Sequence, residues 1–200
     1  VEWGFYAPPL VTDEGRYRIY IGETGEGVGG YMDPFAGYPD VPWDACVSYV
    51  LIAGGGSRGT VGPVVAHELN HAMQGAMDCL EAIAFWENTA TFVMSPVCGA
   101  DGVQYQDGVL ADFQSEAHHS LSWGEDLGAY WYGGFLWPHF LAYAYEDEAD
   151  GPILVRRIWE GAMQEDGANT VNYLRSIDDL LQSGYGADLG AAFEAFSVAR

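Results

Sequence analysis

The distribution of apolar residues divides the chain into a strand-containing beginning and a longer helical part. Residues 46–52 (CVSYVLI) are dense in β-branched and aromatic side chains and predict a strand, and residues 17–21 predict a shorter one. Residues 22–30 are rich in Gly and Glu and are typical of a turn or hairpin. Strands are therefore expected only within residues 1–60.

A helical pattern follows the Gly-rich stretch 54–59. Thr60 can cap a helix whose first turn accommodates Pro63, and this helix is predicted to run to about residue 77. Its apolar residues recur at helical spacing and predict a core-facing side formed by Val65, Leu69, Ala72, Met73 and Ala76.

The rest of the chain is predicted to be helical with one loop. A second helix covers about 80–94 and ends at Ser95-Pro96, because a residue before proline disfavours helical backbone. A loop is expected at 99–108, and further helices are predicted at 110–120, 130–146, 152–162, 171–182 and 187–199. The fold class is therefore α+β, with a β-containing part at 1–60 and a helical part at 61–200 that form one unit.

The charge of the chain limits its partners. There are 29 acidic side chains against seven basic ones, all of them Arg, which gives a net charge of −22. Such a protein repels phosphate backbones, so a nucleic-acid partner is not expected. The acidic surface either keeps the protein soluble or selects cationic substrates. No apolar run reaches the length of about 18 residues that a membrane span requires.

One motif in the first predicted helix contains residues that can bind a metal ion and transfer a proton. His67-Glu68-Leu69-Asn70-His71 has the form HExxH. Residues four apart share a helix face, so both imidazoles can bind one ion, and zinc is the metal expected for this pair. Zinc lowers the pKa of bound water toward neutrality, and Glu68, rotated away from the two ligands, is expected to accept the proton as general base.

A catalytic zinc needs a third protein ligand, and Glu81 and Glu87 on the next helix are the nearest choices. Glu87 shares its helix face with small and apolar residues, where a buried carboxylate needs a cationic partner because isolated burial of a charge is costly. Glu81 lies on a different and more polar face. Glu87 is therefore predicted to be the third ligand.

Several segments resemble a known group of enzymes. HELNHAMQ and the later WENTATF, with fifteen residues between His71 and Glu87, resemble the gluzincins, the thermolysin-like clan of zinc metallopeptidases. Together these two segments are most similar to a group of secreted bacterial metalloproteases with an H-E-x-x-H-x-x-Q helix and an E-x-T-A-T segment. YGGFLWPHFL at 132–141 and AAFEAFSVAR at 191–200 are similar to later helices of that group. The resemblance covers about residues 47–200.

The resemblance implies a secreted, zinc-dependent endopeptidase. One zinc ion would be held by His67, His71 and Glu87, with Glu68 as the base. A strand above the site would pair with an extended substrate, and residues 46–52 are the strand expected to do so. The chain starts at Val1 without a signal-peptide pattern and without an initiator Met, so it is expected to be a processed or trimmed form.

The resemblance also implies a donor that stabilises the oxyanion formed when a peptide bond is attacked. Tyr132 matches the Tyr-Gly position of the group and is the expected donor, and Tyr130 is the second candidate. The remaining histidines could also donate: His118, His119 and His139. Asn70 and Gln74 are expected to brace the helix or the ligands.

Two rival functions remain open. Gly55-Gly56-Ser57-Arg58-Gly59 fits the G-x-S-x-G pattern of a serine hydrolase, although the helices that follow do not suit that fold. A non-catalytic, zinc-stabilised binding domain is the other rival, and Glu68 argues against it because a structural site has no use for that carboxylate. Calcium could bind near 101–107 or 146–150, but neither segment has a calcium-loop pattern.

Three cysteines permit one disulfide: Cys46, Cys79 and Cys98. A helix over 80–94 separates its ends by about 21 Å, and the four residues to Cys98 span at most about 14 Å. Because a disulfide needs Cα atoms within about 7 Å, direct pairing of Cys79 with Cys98 is disfavoured. We expect any disulfide to join Cys46 to one end of the Glu87 helix.

Overall fold

The computed structural model describes residues 3–10, 15–123, 129–145, 151–164 and 170–199. Its strands are β1 (Ile19–Gly22), β2 (Gly30–Gly37) and β3 (Cys46–Ala53). Its helices are α1 (Arg58–Gly75), α2 (Ile83–Cys98), α3 (Ala100–Ser115), α4 (Ala129–Gly133), α5 (Leu136–Tyr145), α6 (Gly151–Ala162), α7 (Tyr173–Tyr185) and α8 (Leu189–Ala199). The α+β fold class is confirmed.

The three strands form one sheet in the order β1-β3-β2. The central strand, β3, pairs parallel with β1 and antiparallel with β2. Its side chains alternate between buried and half-buried, as expected for a strand with one face on the core. The strand β2 was not predicted: it contains Pro34, which lacks a backbone donor and is tolerated because β2 lies at the edge of the sheet.

Aromatic residues of the helices form the main core. Trp86 and Phe85 from α2 pack against Trp159 from α6, with ring centroids 5.6 and 4.9 Å apart. Trp137 from α5 packs against Phe196 from α8 at 5.2 Å. This core holds α2 between α1 and the later helices.

The helix α1 is buried on almost every side because it lies between the sheet and α2. Ser57, and not Thr60, is its N-cap, and the Ser57 side chain accepts a hydrogen bond from the Thr60 backbone. The predicted core-facing side is only partly correct: Ala72 and Ala76 are buried, whereas Val65, Leu69 and Met73 are half-buried. The polar residues of the motif occupy the more deeply buried positions.

The prediction of a loop at 99–108 is wrong, because these residues begin α3. Gly102 explains the error. A side chain at this position would place its Cβ atom 2.2 Å from the carbonyl oxygen of Met94, so glycine allows α3 to pack closely against α2. The glycine that suggested a loop is required for helix packing.

The prediction that the second helix covers about 80–94 and ends at Ser95-Pro96 is also wrong, since α2 runs from Ile83 through Pro96 to Cys98. Proline cannot donate to the carbonyl four residues earlier, which belongs to Phe92. The side-chain amide of Gln106 on α3 donates to that oxygen instead, at 3.3 Å, and to the Thr91 carbonyl at 2.8 Å. A contact from a distant helix therefore replaces the bond that proline removes.

The helix predicted at 130–146 is two helices, α4 and α5, with a break after Gly133. A Cβ atom on Gly134 would lie 2.3 Å from the Asn88 side-chain nitrogen, which donates to the Trp131 carbonyl at 2.8 Å. This contact ends α4. The predicted last residue, 146, lies outside the described residues.

Within the described part of the chain, no helix is long and apolar enough to cross a membrane.

Candidate metal centre

Three side chains from α1 and α2 converge beside the edge strand β2. The Nε2 atom of His67 lies 3.0 Å from Oε2 of Glu87, and Nε2 of His71 lies 3.5 Å from the same oxygen. The ligand atoms of all three residues lie within 4.8 Å of one another. Helical spacing places the two imidazoles on one face of α1, and the packing of α2 brings Glu87 to them. The group could hold a metal ion.

A network centred on Gln74 fixes how His71 presents its ring. The Gln74 amide nitrogen donates to the Asn70 side-chain oxygen, the Trp86 carbonyl and the Thr89 hydroxyl. Its amide oxygen therefore faces Nδ1 of His71, 2.7 Å away, and can only accept a hydrogen bond from it. The proton of the neutral ring thus lies on Nδ1, and the lone pair of Nε2 points toward Glu87. This is the orientation that a metal ligand requires.

The electrostatics of the cluster favour a cation. Burial alone would raise the pKa of Glu87, but His71 and His67 hold it well below its usual range. Burial opposes protonation of His71, yet Glu87 and Glu68 raise its pKa to about 9. In the absence of a metal the cluster therefore attracts a proton, which a divalent cation would displace on binding.

Glu68 lies beside the cluster and is buried. Burial raises the pKa of its carboxyl group, while His71 and His67 partly oppose that increase. The backbone of Met32 on β2 also hydrogen-bonds the carboxyl group. Glu68 is therefore positioned between the cluster and the edge strand, with a proton affinity higher than that of an exposed glutamate.

The cluster opens into a cavity of about 390 Å³. His67, Glu68, His71, Glu87 and Tyr132 form one side, and residues of β2 and the preceding turn form the other. A smaller cavity of about 270 Å³ shares His67, Glu68 and Tyr132. A larger cavity, of about 1020 Å³, lies elsewhere and is lined by His118, His119 and Trp137 among others. Cavity volume alone therefore does not identify the cavity that adjoins the candidate metal centre.

The structure brings Tyr132 to the cluster and places the other proposed donors elsewhere. The ring of Tyr132 lies 5.5 Å from that of His67. The hydroxyl of Tyr130 donates to the carbonyls of His119 and Ser120, so it serves the fold. His118 and His119 lie in the turn after α3, and His139 packs against Phe92.

Tyr105 is a residue of the site that the sequence did not indicate. It lines the smaller cavity with Tyr132 and Glu68. Burial, together with Glu68 and Glu87, raises the pKa of its hydroxyl. It lies on α3, in the stretch predicted to be a loop, so no helical spacing pointed to it.

The two glutamates considered as third ligand have different roles. Glu81 lies just before α2 and accepts hydrogen bonds from the backbone of Asn172 and Tyr173, each at 2.9 Å. It therefore caps the N-terminus of α7. Glu87 is the glutamate that contacts both histidines.

The strand that borders the cavity is β2, not β3. Because β1 and β2 pair with both edges of β3, residues 46–52 cannot add a substrate strand. The cavity is lined by Gly30, Tyr31, Met32 and Pro34 of β2, and no strand among the described residues pairs with this outer edge of the sheet. The prediction that 46–52 pairs with substrate is therefore wrong.

The remaining sequence predictions have plain outcomes. Ser57 caps α1 and also lies 2.9 Å from the Thr60 hydroxyl, as a helix-capping serine does. Residues 101–107 form part of α3 and not a calcium loop, and residues 146–150 lie outside the described residues.

A disulfide joins Cys46 to Cys79, and Cys98 is free. The expectation that Cys46 pairs with a cysteine beside the Glu87 helix is confirmed.

No family model matches the chain, and no curated protein or solved structure matches it either. The resemblance to gluzincins therefore rests on the motifs themselves.

Proposed function

We propose that this protein is a secreted, zinc-dependent endopeptidase that hydrolyses peptide bonds. The observation that carries the proposal is the meeting of His67, His71 and Glu87 beside the buried carboxyl group of Glu68. This arrangement follows the division of roles in gluzincin peptidases that the motifs resemble. The disulfide is consistent with an oxidising compartment and so with secretion.

The donor set suits zinc. Two imidazole nitrogens and one carboxylate oxygen are ligands that zinc accepts, and three protein ligands leave a position open for chemistry. The fixed proton on Nδ1 of His71 leaves Nε2 available, and the Thr91 hydroxyl lies 3.4 Å from Nδ1 of His67. A zinc ion bound here would polarise a carbonyl group and lower the pKa of water.

Glu68 would act as the general base. Its raised pKa makes it a better proton acceptor than an exposed glutamate, and a water bound in the cavity that it lines would be within its reach. The carboxylate would take a proton from that water and deliver it to the leaving amine. Burial keeps competing solvent away from the carboxyl group.

The open edge of β2 would bind the substrate. An extended peptide can pair with an unpaired strand edge through backbone hydrogen bonds, which would lay the scissile bond across the cavity. Tyr132 would donate to the carbonyl oxygen as negative charge develops on it. Burial, with Glu87, raises the pKa of Tyr132 well above its usual value, so its hydroxyl keeps the proton that it must donate.

A non-catalytic zinc domain is the alternative, and one experiment separates the two. Purified protein should contain about one zinc per chain at this centre, and should cleave a quenched peptide. A chelator should stop cleavage, and added zinc should restore it. Zinc retained without any cleavage of peptides, casein or basic substrates would favour the non-catalytic domain, and absence of zinc would contradict both.

A further inference from the structure

A second cluster of metal-ligating side chains lies in the turn after α3, away from the candidate metal centre. We call Glu116, His118 and His119 the turn cluster. Nε2 of His119 lies 3.4 Å from Oε2 of Glu116, and Nε2 of His118 lies 3.8 Å from the same oxygen. The three ligand atoms lie within 4.8 Å of one another. The donor set equals that of the first centre: two imidazole nitrogens and one carboxylate oxygen.

The backbone of the turn cluster is fixed by contacts that involve no metal. The His119 backbone donates to the Glu116 carbonyl at 3.0 Å, and the Tyr130 hydroxyl donates to the His119 carbonyl at 3.1 Å. The His119 ring stacks on Trp123 with centroids 3.6 Å apart and planes 6° from parallel. These ligands therefore lose less conformational freedom on binding an ion than the same side chains on a flexible loop would lose.

The electrostatic surroundings of the turn cluster favour a cation. Glu116 is the C-cap of α3, a 16-residue helix. The free carbonyl groups at a helix C-terminus carry a partial negative charge. The net charge of −22 also raises the local concentration of cations around the protein. The His118 side chain is 71% exposed, so an ion can reach the cluster directly from solvent.

We propose that the turn cluster binds a second divalent transition-metal ion through Glu116, His118 and His119. Imidazole ligands favour Zn²⁺ and Cu²⁺ over Mg²⁺ and Ca²⁺, which prefer oxygen-only sites. The ligands of this site are exposed or half-buried, whereas those of the first centre are largely buried, so the second ion binds more weakly. Since His118 and His119 line the cavity of about 1020 Å³, the ion lies at the wall of that cavity. The inference does not depend on the proposed peptidase activity.

Calorimetric titration with Zn²⁺ tests this site. Protein that already carries one equivalent of zinc should bind a second, weaker equivalent, with a rise in Tm because the ion binds only the folded state. The His118→Ala/His119→Ala variant should lose the second event and the rise in Tm but keep the first event. Glu116→Gln, which keeps the shape and removes the anionic ligand, should weaken the second event at least about tenfold. His139→Ala is the matched control, because it removes an exposed histidine outside the turn cluster.

The outcomes separate this inference from the proposed function. A wild-type protein in which no zinc-binding event is altered by His118→Ala/His119→Ala overturns the inference, whether it shows one event or two. A single event that His118→Ala/His119→Ala abolishes supports the turn cluster and contradicts zinc binding at the first centre. Loss of the tighter event alone in His67→Ala supports both sites.

Discussion

The Nδ1 atom of His71 lies 2.7 Å from the amide oxygen of Gln74, in the next turn of α1. Gln74 is fully buried and its amide nitrogen is already engaged with Asn70, Trp86 and Thr89. The hydrogen-bond acceptor for His71 is therefore set by contacts from α2. Gln74 is not itself a candidate ligand, but it determines the orientation in which His71 presents its ring to the candidate metal centre.

We expect Gln74→Met to weaken zinc binding by about 10–100-fold, because His71 loses the acceptor that orients its ring. The variant should also lose about 1–3 kcal/mol of stability for each buried partner left unpaired. Gln74→Glu is the control, since it keeps an acceptor for His71 while losing the amide donor. Zinc affinities measured by competition should rank Gln74→Glu above Gln74→Met. Equal affinities would show that the acceptor is unimportant.

Glu87→Ala and Glu81→Ala should separate metal binding from stability. Glu87→Ala should lose zinc because it removes a ligand. Glu81→Ala should keep zinc but leave the backbone donors of Asn172 and Tyr173 without an acceptor. That change costs about 2 kcal/mol, or roughly 4–8 °C in Tm. Zinc content and thermal melts of both variants check this; zinc loss in Glu81→Ala alone would reverse the assignment.

The candidate site was predictable where local spacing decides it. The two histidines lie four residues apart on one helix, so their convergence follows from helix geometry, and the face of Glu87 follows in the same way. Tyr105 and β2 depend on contacts between distant segments. Gly102 and Pro34 give local signals against regular structure, and tertiary packing overrides both. The sequence therefore indicated the ligands better than the cavity around them.

Asp78 should make stability depend on pH. Burial, with Glu81 and Asp44 nearby, raises its pKa to about 6. A carboxyl group with a raised folded-state pKa stabilises the fold below its unfolded value of 3.8, and this stabilisation is lost as pH rises through about 6. Asp78→Asn keeps an oxygen for the Leu80 backbone and should raise Tm at pH 7.5 but not near pH 4. A gain in Tm that is equal at both pH values would contradict this.

The disulfide should stabilise the packing of the sheet on the helices that carry the candidate metal centre. Cys46 begins β3, and Cys79 lies between α1 and α2, 33 residues later. Cys46→Ala/Cys79→Ala should cost about 3–4 kcal/mol, because the unfolded chain regains loop entropy. Tm should fall by roughly 10 °C. Cys98→Ser, at the free cysteine, is the control and should leave Tm close to that of the wild type.

The turnover of Glu68→Gln with a full complement of zinc tests the proposed peptidase most directly. Gln matches the shape of Glu68 but cannot accept a proton, and Glu68 is not one of the three residues that could hold the ion. The variant should bind zinc as the wild type does and cleave a quenched peptide at least about 100-fold more slowly. Ser57→Ala, measured in parallel, should cleave at the wild-type rate. Hydrolysis at the wild-type rate by zinc-loaded Glu68→Gln would contradict the assignment of Glu68 as the general base and the proposed mechanism with it.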